Sequence, residues 1–315
     1  MKTAREKSPS LLLASLALLL ALWMTSSLQA QIYISNLGTT VVKYGLNGSL
    51  DTGFTMSVGG AGFYGLAVDG NDLYAANFSG QKVQKYDATS GAFSANVLSP
   101  GASPFDVAVY GSTLYSTYNS FVQLDKSTTS GTGFAVFATA GLANPVYGTT
   151  VDSAGNVYVV NYTNSKVVKY TVVGGVLTAT DTNFISTNLS NPFDLTVDAS
   201  GNVYVVNYAG ATANAGTVTK YDSTGAYVST LVTGLTAPHG IGLDGLGNFY
   251  VADTGHNQVG KYDTVTGAGT SNFISIASPF YITTVVSTVP EPSSIALLCI
   301  GGAAFAAWRM RRKLA

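Results

Sequence analysis

The sequence predicts an all-β protein, a six-bladed β-propeller, and three observations predict it. One phrase recurs along the interior at steps of 41, 42, 46 and 46 residues, a period long enough for four short strands. Charged residues are only 10% of the 315, while Gly reaches 35 and Tyr 19, a balance that favours short strands and tight turns over long amphipathic helices. Finally, the stretch SPFYITTVVSTVPEPSS from Ser278 begins another copy of the phrase and abandons it after one strand.

The recurring phrase is YGLAVDGNDLYAAN from Tyr64, FDVAVYGSTLYSTY from Phe105, YGTTVDSAGNVYVVN from Tyr147, FDLTVDASGNVYVVN from Phe193 and HGIGLDGLGNFYVAD from His239. A second phrase follows each copy: QKVQKYD to Asp87, SFVQLD to Asp125, SKVVKY to Tyr170, GTVTKYD to Asp222 and NQVGKYD to Asp263. Within the copy at Phe193, Leu195 to Asp198 alternates as an inner strand A. Asp198 to Asn202 is a turn in which Asp bonds local backbone and Gly201 supplies positive φ. Val203 to Asn207 is strand B, continuously apolar because both of its faces press on neighbouring blades. Thr217 to Asp222 is strand C, Ala226 to Val232 the outer strand D, and Pro238 marks the return to the centre.

Residues 280 to 286 then read as a strand A without its own B, C and D. Those lie at the other end: Ile32 to Asn36 as strand B, Val41 to Tyr44 as strand C and Phe54 to Val58 as strand D. The last strand is thereby expected to complete the first blade and remove the open edges of the ring. The copy at Phe105 departs most, with Tyr110 where the turn Asp recurs and Leu124 aligned with the Tyr of the second phrase.

The phrase from Asn248 to Val259, NFYVADTGHNQV, resembles the NHL repeat, and the weaker copies extend that resemblance over roughly residues 32 to 286. The resemblance implies the same propeller.

Both ends read as addresses. Lys2, Arg5 and Lys7 precede an apolar run from Leu11 to Met24 and a short polar segment to Ala30, the pattern of a secretory signal peptide over residues 1–30; an uncleaved anchor is the alternative. At the other end Val289-Pro290-Glu291-Pro292 precedes an apolar segment, 293–308, and a basic cluster from Arg309 to Lys313. Sixteen residues make roughly 24 Å of helix, slightly short for a bilayer core. The positive cluster keeps its own end cytoplasmic and leaves the body on the far side.

This tripartite tail, 288–315, resembles the PEP-CTERM sorting signal of bacterial exported proteins. The resemblance implies recognition of the Pro-Glu-Pro motif by an exosortase and transient anchoring by the C-terminal helix. An ordinary C-terminal anchor is the other reading. The expected organisation is a signal peptide, a propeller over 31–287 and a sorting tail, in a protein exported to the cell envelope, the surface or the medium.

Charge narrows the partners. All four arginines and both glutamates lie in the two ends, and the body holds 14 Asp against 8 Lys, about −6. Nothing there forms a basic stripe, so nucleic acid is not an expected partner. The single cysteine, Cys299, sits in the tail, leaving the body without a disulfide framework.

Alignment of the copies puts Tyr64, Phe105, Tyr147, Phe193, His239 and Tyr281 at one equivalent position, with Asp106 and Asp194 next to it in two blades. Such a ring at the channel mouth either stacks sugar rings or holds a small ligand, or it packs blade against blade. Pro238-His239-Gly240 resembles the streptogramin lyases, relatives that use a His with metal-bound substrate. Those enzymes and the gluconolactonase-like propellers carry glutamates in their sites, and this body has none. Asn36, Asn77, Asn161, Asn207 and Asp253 recur at the end of strand B and read as loop-satisfying side chains rather than calcium ligands. No metal, cofactor or catalytic group is expected. The expected function is binding of extracellular polysaccharide or an envelope protein, with a lyase- or lactonase-like enzyme and a plain scaffold as alternatives.

Overall fold

In the computed structural model the described residues are 30–37, 40–56, 62–99 and 101–285. The signal peptide and the sorting tail, including Val289 to Pro292 and the helix expected over 293–308, lie outside them. Among the described residues no helix is long and apolar enough to cross a membrane.

Six antiparallel sheets follow one another along the chain. The second blade is β3 (Phe63–Asp69), β4 (Asp72–Asn77), β5 (Lys82–Asp87) and β6 (Phe93–Leu98), in spatial order. Before it lie β1 (Gln31–Asn36) and β2 (Val41–Gly45). The third blade is β7 (Pro104–Tyr110), β8 (Thr113–Tyr118), β9 (Leu124–Thr128) and β10 (Ala135–Ala138). The fourth is β11 (Val146–Val151), β12 (Val157–Asn161), β13 (Lys166–Val173) and β14 (Val176–Ile185). The fifth is β15 (Pro192–Val197), β16 (Val203–Asn207), β17 (Gly216–Tyr221) and β18 (Tyr227–Leu235). The sixth is β19 (Pro238–Leu243), β20 (Asn248–Asp253), β21 (Gln258–Asp263) and β22 (Gly269–Ser275). Among the described residues helix is confined to two single turns, Ala209–Ala211 and Thr254–His256.

The abandoned repeat is β23 (Pro279–Val285), which pairs antiparallel with β1, placing Ile34 opposite Ile282 and Gln31 opposite Val285. The first blade therefore has the order β2-β1-β23 and three strands among the described residues. The outer strand expected at Phe54 to Val58 does not form over its described part. Phe54 and Met56 instead bury their side chains against Tyr33 and Val41, while the Thr55 N–H donates to the Ser90 carbonyl of the next blade.

Three devices recur, and the fourth, fifth and sixth blades carry all of them. The turn Asp accepts at both oxygens: in the fifth blade Asp198 Oδ1 takes the N–H groups of Ser200 and Asn202, and Oδ2 takes Asn202 Nδ2 and the Tyr204 hydroxyl. Asp152 and Asp244 repeat this with Tyr158 and Tyr250. The Lys of strand C lies over a strand B aromatic, 5.0 Å from the Tyr158 centroid for Lys169 and 5.1 Å from Tyr204 for Lys220. Strand B is buried throughout, as in VYVVN of β12 and β16, because it is sandwiched between blades.

The third blade keeps both the architecture and the register of the second. Tyr115 faces Lys126, as Tyr74 faces Lys85 in the second blade, so Ser127 stands where Tyr86 stands and the alignment of Leu124 with that Tyr is three residues off. Lys126 reaches the ring of Phe137 at 5.1 Å instead. The connection has the same length as in the second blade, Tyr115 to Lys126 matching Tyr74 to Lys85, so the departure lies in the residue types of strand C, where Ser127 replaces the recurring Tyr.

Candidate functional site

The inner strands, A, deliver two successive tiers to the axis. Pairing registers make Tyr64, Phe105, Tyr147, Phe193, His239 and Phe280 equivalent. The sixth member of the ring is thus Phe280, and Tyr281 belongs to the next tier. The sequence alignment had taken the wrong one of two adjacent aromatics.

In the first tier the three phenylalanines meet across the axis, with centroids 5.6 Å apart for Phe105–Phe193 and Phe193–Phe280 and 6.3 Å for Phe105–Phe280. The Tyr281 ring packs beneath them, 5.5 Å from Phe280 and 6.1 Å from Phe105. These contacts leave no passage and close the channel at this end. Tyr64 and Tyr147 fill the flanks, each stacked on a phenylalanine: Tyr64 on Phe78 at 4.5 Å and Tyr147 on Phe105 at 4.1 Å.

Above this plug lies a depression of about 310 Å³ lined by the six ring members together with Leu37, Phe78, Asn119, Tyr162 and Tyr208. Phe78, Tyr162 and Tyr208 are half-buried and were not anticipated. Their signal was present, since an aromatic follows the strand B Asn in Asn77-Phe78, Asn161-Tyr162 and Asn207-Tyr208. The Asn side chains hold these turns: Asn77 Oδ1 accepts the Gly80 N–H and Asn207 Oδ1 accepts that of Ser190. Asp253 Oδ1 accepts the Thr236 N–H in the same role, while its Oδ2 faces His256 Nδ1 at 2.7 Å.

His239 is the one titratable imidazole in the ring. Burial pushes it down to about 3, so it is neutral, with the Ala237 carbonyl opposing part of the shift. Its Nδ1 lies 2.6 Å from Thr254 Oγ1, and that hydroxyl gives its own proton to the Pro279 carbonyl. Nδ1–H is therefore the donor, and Nε2 carries the lone pair. Edge contact with Phe193 at 4.4 Å holds the ring in place.

Below the plug the second tier reads Gly65, Asp106, Gly148, Asp194, Gly240 and Tyr281 around the axis, small and large residues alternating. Asp106 and Asp194 are buried and lie away from the depression, on the channel side of the plug. Asp106 accepts the N–H groups of Val107 at 2.8 Å and Thr149 at 2.7 Å; Asp194 accepts those of Leu195 at 2.8 Å and Ile241 at 3.0 Å. Each carboxylate so clasps the inner strand of the following blade. Burial raises both, Asp194 to about 7 and Asp106 well above the usual carboxylate range, the latter also through the neighbouring Asp194 charge.

The anticipated set therefore separates. Tyr64, Phe105, Tyr147, Phe193 and His239 share one aromatic depression, while Asp106, Asp194 and Tyr281 share the blind end of the channel behind it.

Comparison with known proteins agrees with this geometry. Residues 235–262 match the family model described as the NHL repeat, and residues 288–313 match that of the PEP-CTERM protein-sorting motif. A search of curated protein sequences returned no match. Among solved structures, a chain of the crystal structure titled Nidogen/Laminin Complex superposes with a TM-score of 0.71 at 18% identity, covering 82% of this chain and 100% of that one, a likeness of fold. The protein is an NHL-repeat-like six-bladed β-propeller with a PEP-CTERM sorting motif behind it, the mark of export and exosortase processing.

Proposed function

We propose that this exported propeller is a binding module without chemistry of its own, and that its aromatic depression stacks on neutral sugar rings of an extracellular polysaccharide. The observation that carries the reading is the lining. Aromatic side chains from every blade meet there, five of them (Tyr64, Phe78, Tyr147, Tyr162 and Tyr208) half-exposed, and no Asp, Glu, Lys or Arg is among the lining residues. Aromatic faces bind the C–H faces of sugars by dispersion and exclusion of water, and tyrosine hydroxyls add hydrogen bonds at the rim. A neutral surface gives no compensation for desolvating a uronate or phosphate.

A non-catalytic role is supported by His239, which is neutral and tied to Thr254, and by the body's lack of glutamate. A second reading, an envelope-protein partner, is supported by the likeness of fold to the chain from the nidogen/laminin complex. Calorimetry of the purified protein with neutral and uronate-rich fractions of the host's extracellular polysaccharide separates these. Saturable heat with the neutral fraction, weakened about tenfold by Tyr162→Ala and Tyr208→Ala, supports the glycan reading. No heat with either fraction, in folded protein, removes it in favour of a protein partner.

A further inference from the structure

The second tier is a separate site. Its channel, about 300 Å³, is lined by the inner strands of all six blades and ends blindly at Asp106, Asp194 and Tyr281. The two carboxylates and the backbone of Tyr281 are held to one another through two peptide units. A Cβ on Gly148 would touch Asp194 Oδ1, while the N–H of the adjacent Thr149 binds Asp106 Oδ2. A Cβ on Gly240 would touch Tyr281 Cα, while the N–H of the adjacent Ile241 binds Asp194 Oδ2. The Tyr281 hydroxyl is buried, lies in the field of both carboxylates and has no hydrogen-bond partner. A buried O–H is rarely left so.

We propose that Asp106, Asp194 and Tyr281 bind a hard divalent cation of the Ca²⁺ or Mg²⁺ class on the propeller axis. Each carboxylate oxygen accepts one backbone N–H and retains a second lone pair for a metal. Two carboxylates match a double positive charge, the phenol supplies a neutral third oxygen, and no Lys or Arg lines the channel to compete. The threonines along the channel wall, Thr150, Thr196, Thr283 and Thr284, keep it polar enough for water to complete the coordination shell. Among the described residues no three His, Cys, Asp or Glu side chains form a metal cluster; here the third oxygen comes from tyrosine. A single water would satisfy the hydroxyl but leave the two buried carboxylates to be neutralised by protons, which a bound cation displaces.

Two carboxylates place the affinity in the weak extracellular class, a Kd on the order of 10⁻⁴ to 10⁻³ M. The site lies on the other side of the aromatic plug, so this inference does not rest on the glycan reading. The test is calorimetry and thermal unfolding of the chelator-treated full-length protein with CaCl₂ and MgCl₂ at constant ionic strength. One saturable site and a rise in Tm of about 2–4 °C are expected for one of the two ions. Asp194→Asn should lower the affinity about tenfold or more, and Tyr281→Phe, which keeps the plug, about threefold. Asp263→Asn, at a turn outside the channel lining, should leave it unchanged. Absence of saturable binding, or binding equal in wild type, Asp194→Asn and Tyr281→Phe, overturns the proposal and leaves water on the axis.

Discussion

Gly148 of the fourth blade and Asp194 of the fifth occupy one another's space: a Cβ built on Gly148 would lie 2.5 Å from Asp194 Oδ1 and 2.7 Å from its Cα. The same fit joins Gly65 to Asp106 and Gly240 to Tyr281, so large residues of alternate blades sit over glycines of the blades between. Gly148→Ala should therefore destabilise by about 2–3 kcal/mol through overpacking at the hub. Adding Asp194→Ala should relieve only part of that, because the contact with the Asp194 backbone remains. Urea denaturation of the two single variants and the double variant measures the coupling, and additive losses would show that the fit is slack.

The imidazole of His239 gives the acid limb of stability a particular shape. Its folded-state pKa lies below the ordinary 6.5, at about 3, so its contribution is complete above about 6.5 and is lost as pH falls toward 3. The loss approaches roughly 5 kcal/mol at the acid end, on about 1.4 kcal/mol per unit. His239→Phe matches the aromatics at the other five ring positions and gives up only the bond to Thr254, about 1 kcal/mol near neutrality. The other acidic groups are common to both proteins. The difference in unfolding free energy should thus narrow and reverse between pH 6.5 and 3, and parallel curves would contradict the assignment.

Asp198 carries four acceptor contacts in one turn, to two backbone N–H groups, Asn202 and Tyr204. Asp198→Ala should cost about 2–3 kcal/mol by leaving buried donors short of partners. Asp198→Asn retains a carbonyl oxygen for the backbone donors and should cost less. Equal midpoints in guanidinium for the two variants would mean that Tyr204 finds another acceptor.

The plug and the rim should respond differently to truncation. Phe193 is buried among Phe105, Phe280 and His239, and Phe193→Ala should cost about 3–5 kcal/mol by opening a cavity on the axis. Tyr162 and Tyr208 are half-exposed, and their alanine variants should cost less than half as much while removing most of the stacking surface. Chemical denaturation of the three proteins checks the order.

Much of the strand plan was legible because most blades repeat one solution: an apolar strand B between neighbours, an Asp-anchored turn, a Lys over an aromatic. The match of Val203–Asn207 to the expected strand B is of this kind. Errors fell where repetition lapsed. In the third blade Ser127 stands at the position of the recurring Tyr, which hid an unchanged register, and Phe54 to Met56 turned inward to bury side chains rather than pair. At the ring, Phe280 and Tyr281 are adjacent aromatics, and only strand pairing with β1 shows which faces the plug.

The sequence by itself determined a repeating all-β architecture, its strand B and turn chemistry, the sorting motif and the aromatic character of the hub, because each is written in local patterns that recur at a fixed period. Only the tertiary structure decided that the aromatics close the channel, that Phe78, Tyr162 and Tyr208 join them around an uncharged depression, and that Asp106, Asp194 and Tyr281 face the other side. Those relationships depend on side chains from alternate blades meeting at the axis, where each blade's position is set by packing against its neighbours and by no signal within its own repeat.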